Sequence, residues 1–306
     1  MSILAVETTW AWAWPWWGTL VALNVIHLFI GVFLFVRSNR ANHPVDVGYL
    51  KTMRTMGMIF VAVALYRSIF VSSYLRQLAW FNSVLNSSLL IRSFAFFAEL
   101  SFAGLIAKSL LRMNEDVPEL INTKNKLLTF LQTKTPIIFF VCIFIANLFA
   151  TSATITKVYL FFAVEETFWG IGFVIIIPML IISIRKLSAY RNTAGWNNLR
   201  QLRTATILIA VFSIGYSFFE LGFNLPIVNW PGAVAQLQMP IPDPPFRFGF
   251  QALMDALLIV HETKDLNTWG GMGFIFWHTG YFSVCVWIAL FLMTGPRVLT
   301  ITKADT

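Results

Sequence analysis

Seven ionisable residues stand inside otherwise apolar stretches of this chain: Arg67, Arg92, Glu99, Glu165, Glu166, Glu220 and His278. A charge at membrane depth costs about 2.5–3.5 kcal/mol on insertion scales. Such residues must pair, line water, lose their charge or hold a ligand. Ion pairing between helices is the simplest use, but the charges do not balance. Four carboxylates face two arginines, so two acids and His278 are left over. Burial favours the uncharged form of a carboxyl group. A neutral glutamic acid beside a histidine can pass protons. If the chain is an enzyme, Glu220 and His278 are the expected acid and base.

Spacing sorts these residues onto faces. Glu165 and Glu166 are adjacent and point about 100° apart on a helix, so only one is expected to face a common centre. Glu165 shares its face with Trp169 and Phe173. Gly170 and Gly172 follow, where a neighbouring helix can approach closely. Tyr216, Glu220 and Asn224 recur every four residues and form one stripe, and His278 and Tyr281 can face one way. Arg92 and Glu99 lie seven apart, two turns away, and are expected to find partners on other helices. Counted at about 1.5 Å per residue, all seven ionisable residues fall within about 15 Å of the same side. The other half of the membrane has no counterpart, which disfavours an ion channel.

The elements that must carry them are transmembrane helices. Hydrophobic residues make up 58% of the 306-residue chain and charged residues 12%, against about 25% charged in soluble domains. Seven apolar segments approach the roughly 20 residues a spanning helix needs: 17–36, 55–75, 89–111, 136–156, 158–184, 204–224 and 273–294. The reading is all-α, one seven-helix transmembrane domain over residues 1–306. Lysines and arginines concentrate in the loops 37–54, 108–134 and 185–203 and in the tail. By the positive-inside rule the N-terminus is outside and the C-terminus inside. The +8 net charge is mostly this asymmetry. It is spread over several loops, so nucleic acid is not expected as a partner. Trp10, Trp12, Trp14, Trp16 and Trp17 suit an aromatic anchor at the outer interface.

One connection is long. Residues 225–272 are expected to form an outer cap between helices six and seven. Its prolines, Pro226, Pro231, Pro240, Pro242, Pro244 and Pro245, disfavour regular structure at its start. Phe248–Glu262 then reads as an amphipathic helix, lying on the outer surface or over the mouth of the bundle. Residues 114–134 suit a short surface helix. Cys142 and Cys285 read as small buried hydrophobes, and His27 and His43 as structural or solvent-facing. No histidine or cysteine spacing suits a metal, and nothing in the sequence names a cofactor. The last segment, Phe274–Thr294, has no lysine for the retinal Schiff base of a rhodopsin. Gly170 stands where intramembrane glutamate proteases with a Glu-Glu-x-x-x-Arg pattern carry arginine.

The expected function is an outward-facing pocket for a small lipophilic ligand within the lipid bilayer, with an enzyme on a lipid or isoprenoid-like substrate as one form of it. Arg67, Arg92, Glu99, Glu165, Glu166, Trp169, Tyr216, Trp277 and Tyr281 are the expected binding residues, with Trp80, Phe96 and Phe219 as further wall. A proton-coupled transporter and a subunit of an oligomer or larger membrane complex are the alternatives.

Overall fold

The computed structural model describes residues 3–39, 47–118, 121, 125–190 and 196–298, with side chains from residue 12 onward, apart from 38–39 and 196–198. His43, Glu119 and the loop or tail cations Arg40, Lys124, Arg191 and Lys303 lie outside the described residues. The protein is an all-α polytopic membrane protein. Six helical stretches are long and apolar enough to cross a membrane: Trp12–Arg37, Ser88–Asp116, Lys126–Thr156, Tyr159–Ala189, Leu199–Gln238 and Met272–Leu292.

In chain order the principal helices are α1 (Ile3–Asn39), α2 (Val47–Ile69), α3 (Ser88–Asp116), α4 (Lys126–Thr156), α5 (Tyr159–Ala189) and α6 (Trp196–Phe219). Successive helices pack against one another, as short loops require. Two helix starts have clear causes. Asn125 caps α4 by accepting from Leu127 N and Leu128 N, and Ser87 caps α3 by accepting from Leu90 N. The fourth helix thus begins ten residues before the expected 136 and absorbs much of the surface helix expected there.

Three further boundaries differ from expectation for physical reasons. The second segment leaves the helix at Ile69, not at 75. Residues after it form β1 (Ser72–Ser73) and β2 (Leu78–Ala79), an antiparallel pair. The apolar run continued past the point where the backbone turns, because these residues are buried in the fold itself.

The sixth segment does not end at 224. It passes into a π-helical turn, Glu220–Asn229, and continues as α7 (Trp230–Gln238). The wider π turn relieves the clash of the Pro226 ring with the carbonyl one turn back. Pro231 follows at the first turn of α7.

The amphipathic helix α8 is shorter than expected, Gly249–Leu258. It lies across the starting end of α3 and the finishing end of α4. Ser88 Oγ donates to Ala256 O at 3.0 Å, and Gln77 Nε2 donates to Asp255 O at 2.8 Å. Strand β3 (His261–Glu262) then pairs in parallel with β2. Two short helices, α9 (Leu266–Trp269) and α10 (Met272–Ile275), lead into a second π-helical turn, Phe276–Tyr281, and α11 (Phe282–Leu292). Helix α11 packs against α1, α2, α3 and α6 and closes the bundle.

Candidate functional site

Five helices supply the walls of one buried cavity of about 80 Å³. Glu99 comes from α3, Glu165, Glu166 and Trp169 from α5, and Tyr216 from α6. Trp277 and Tyr281 come from the second π turn, Cys285 and Phe282 from α11, and Arg67 and Phe60 from α2. One water needs roughly 10–15 Å³ on this measure, so the space holds a small cluster of waters or a small ligand group.

The arginines are used differently. Arg92 is 1% exposed. It donates to both oxygens of Glu99, at 3.2 and 2.9 Å, and its Nη1 lies 3.7 Å from Glu165 Oε1. It also donates to Asn147 Oδ1 from α4. The expectation that Arg92 and Glu99 cannot be partners is therefore overturned. Two helical turns separate their Cα atoms by about 10.5 Å. A glutamate leans toward the helix start, and an arginine running down the same face covers the remainder. Arg67 instead stacks on Phe282, with its guanidinium 4.6 Å from the ring centre, and makes no ion pair among the described residues.

Both adjacent glutamates line the cavity, contrary to the expectation for one. The cavity is wide enough to subtend the angle between them. Glu165 turns toward Arg92, while Glu166 Oε2 accepts from the Tyr216 hydroxyl at 3.2 Å. Glu165 Oε2 is buried with no partner among the described residues. The rings form a continuous wall. Trp277 stacks on Tyr281 with centres 4.0 Å apart, Tyr281 meets Tyr216 at 5.8 Å, and Trp169 stacks on Phe173 at 5.9 Å.

The remaining expected residues lie elsewhere. Glu220 is fully buried and lines neither this cavity nor the smaller one beside it. Its two oxygens accept from Asn224 Nδ2 at 3.0 and 3.1 Å. It sits against Gly170, where a Cβ would stand 3.5 Å from Glu220 Cγ and 2.6 Å from a Leu221 methyl. His278 lines the smaller cavity, of about 20 Å³, with Arg67, Asn24 and Ser68. Its Nδ1 is buried without a partner among the described residues, and its ring lies 4.1 Å from Phe274. Glu220 and His278 thus do not share a cavity, while Arg67 borders both spaces. Trp80 belongs to a separate cluster with Trp14, Trp16 and Trp269. Phe96 packs on Phe97 and Phe144. Phe219 touches Trp277 from outside the cavity.

Sequence reasoning missed Tyr74, which lines the cavity and lies 5.8 Å from the Arg92 guanidinium. Its signal was hidden because residues 70–75 were read as helix. Tyr74 is held by Lys157, the left-handed residue that ends α4, whose Nζ donates to Tyr74 O at 2.7 Å. Burial and the nearby Arg247 push the Lys157 ammonium down to about 7, against a weaker opposing effect of Asp255.

Among the described residues no three His, Cys, Asp or Glu side chains converge to hold a metal ion. Comparison with protein-family models, with characterised proteins and with solved structures gives no match. Fold and site therefore define a class, a helical membrane protein with an acidic, aromatic internal cavity.

Proposed function

We propose that this protein is a multi-pass integral membrane protein that binds a small positively charged group, an amine, in the cavity bounded by Glu99, Glu165 and Glu166. The observation that carries this reading is the charge imbalance around one internal space. Three carboxylates, several aromatic faces and Arg67 border it, Arg92 pairs with Glu99 and lies 3.7 Å from Glu165 Oε1, and the three acids exceed the two arginines by one. An ammonium entering the space would make charge-assisted hydrogen bonds to Glu165 and Glu166. The faces of Trp169 and Trp277 would add cation–π attraction. An aromatic cavity with a few convergent polar groups is where a small-molecule site is expected. The volume suits a head group rather than a whole isoprenoid.

Calorimetric titration of the protein in lipid nanodiscs with methylammonium, and with methanol as the uncharged control, tests this. Methylammonium should bind and methanol should not. Glu166→Gln keeps an acceptor for Tyr216 but removes a charge, and should weaken methylammonium at least about tenfold, as expected for loss of a charged hydrogen bond. Equal affinity in Glu166→Gln, or no binding to the parent protein, would overturn the reading.

A further inference from the structure

The second π-helical turn borders the cavity, and a run of rings passes from it over the end of α6 to Phe223 of the first π turn and the outside of the bundle. Tyr216 and Tyr281 are at the inner end of this seam. Trp277 follows, stacked on Tyr281 at 4.0 Å, and Phe219 lies beyond it, 5.8 Å from Trp277. Phe219 is 38% exposed and no longer lines the cavity. Phe223 continues the line 6.2 Å further out. The flanking surface carries Phe218 and Phe276, 81% and 70% exposed. Open space surrounds Gly222, with no heavy atom within 4 Å of the position its Cβ would take.

A π turn gives up regular α-helical packing and recurs at functional sites. The run of rings from Tyr281 through Trp277 and Phe219 to Phe223 leads from the cavity to an apolar surface and marks a place where side chains can part. The Phe219–Trp277 contact is ring against ring, so its opening costs no hydrogen bond between those side chains. The cavity, at about 80 Å³, is also far below the 300–1,000 Å³ of sites that enclose a drug-sized molecule. A ligand with a long tail could lodge only its head there.

We infer that the seam between α6 and α11 is a lateral portal to the bilayer, and that the ligand is a single-chain amphiphilic amine whose head enters past Trp277 while its tail stays along Phe219 and Phe223. This rests on the amine reading of the cavity. The ring wall suits a hydrocarbon chain, and the carboxylates suit the amine at its end. An anionic amphiphile of the same length would meet Glu99, Glu165 and Glu166 with like charge.

The test uses Phe219→Cys in nanodiscs, labelled either with a bulky aromatic maleimide or with the small methyl methanethiosulfonate. The parent chain treated alike shows any contribution from the buried Cys142 and Cys285. Dodecylamine, dodecanoate and methylammonium are the probes. Dodecylamine should bind and dodecanoate should not. The bulky label should slow dodecylamine entry by about tenfold or more, while the methyl label leaves it near the parent rate. If dodecylamine enters equally fast past both labels, the portal is wrong and the amine cavity stands. If methylammonium binds but dodecylamine does not, the amphiphile is wrong and the cavity again stands. If no amine binds the parent chain, both the cavity reading and the portal fall.

Discussion

At the end of the bundle opposite the cavity, several charged and polar groups are paired. Arg112 pairs with Asp116 at 2.7 Å, one turn away on α3, and its guanidinium lies 5.3 Å from the Tyr49 ring. Asp116 also accepts from Val298 N at 2.8 Å, and the Tyr49 hydroxyl donates to Pro296 O at 3.0 Å. Packing there is close as well. A Cβ on Gly57 would stand 1.9 Å from Met293 Cγ, and one on Gly295 2.3 Å from a Leu50 methyl. Around the cavity the acids exceed the arginines, an oxygen of Glu165 has no partner among the described residues, and space remains between the side chains. One end spends its charges on closure. The other leaves acids without matching cations, which is what the proposed cation site needs.

The strongest way to break this comparison is to remove Arg92. Its loss strands Glu99 and Glu165 in a buried setting, and breaking a buried pair costs about 3–5 kcal/mol. Arg92→Met should therefore lower the unfolding free energy from chemical denaturation in nanodiscs by an amount in that range. Adding Glu99→Gln and Glu165→Gln should recover much of the loss, because the stranded charges are then gone. If Arg92→Met alone is neutral, the cavity acids are already uncharged without it, and the excess of charge does not exist.

The second test acts on the closed end. Gly57→Ala places a methyl group into Met293, which is fully buried. Overpacking of this kind costs about 1–3 kcal/mol. Stability should fall while amine binding stays at the parent affinity. Met293→Ala should relieve part of the clash, and the two changes should be non-additive in a double-mutant cycle. A loss of amine affinity in Gly57→Ala with stability unchanged would mean the two ends are not separate in function.

Much of this contrast was legible before any coordinates. The ionisable residues, their collection toward one side and the excess of acids follow from residue identity and spacing. Most of the long helices were recognised because lipid demands long apolar runs. What failed was reach and turning. Arg92 and Glu99 were separated by their Cα spacing, although an arginine side chain crosses most of two turns. Glu165 and Glu166 were divided by the angle between their Cβ directions, although a cavity is broader than a contact. Tyr74 was read into a helix because buried apolar residues continue beyond Ile69 into a hairpin. Pro226 was read as a stop because the rule against internal proline assumes α geometry, and the chain uses a π turn there. Sequence hydropathy reports what is buried, and cannot distinguish burial in lipid from burial under a cap.

The smallest effect expected near neutral pH concerns the link between α8 and the cavity. Lys157 is 1% exposed and faces Arg247 and Asp255 at α8 and the Tyr74 carbonyl from the hairpin. Its folded value of about 7 lies below the ordinary 10.5 of lysine. Between these values the unfolded chain holds a proton that the folded chain has released. Stability from this group therefore rises with pH across that window, by at most about 1.4 kcal/mol per pH unit, the limit for one proton. Below about 7 both states are protonated and the burial cost is fully present. The slope is only beginning at pH 7–8, so the difference there is modest. Denaturation midpoints measured from pH 6 to 10 should climb for the parent chain and flatten in Lys157→Met. A parallel pair of curves would show that the buried ammonium keeps its proton, and that Tyr74 is held by a charge throughout rather than by an amine that titrates near neutrality.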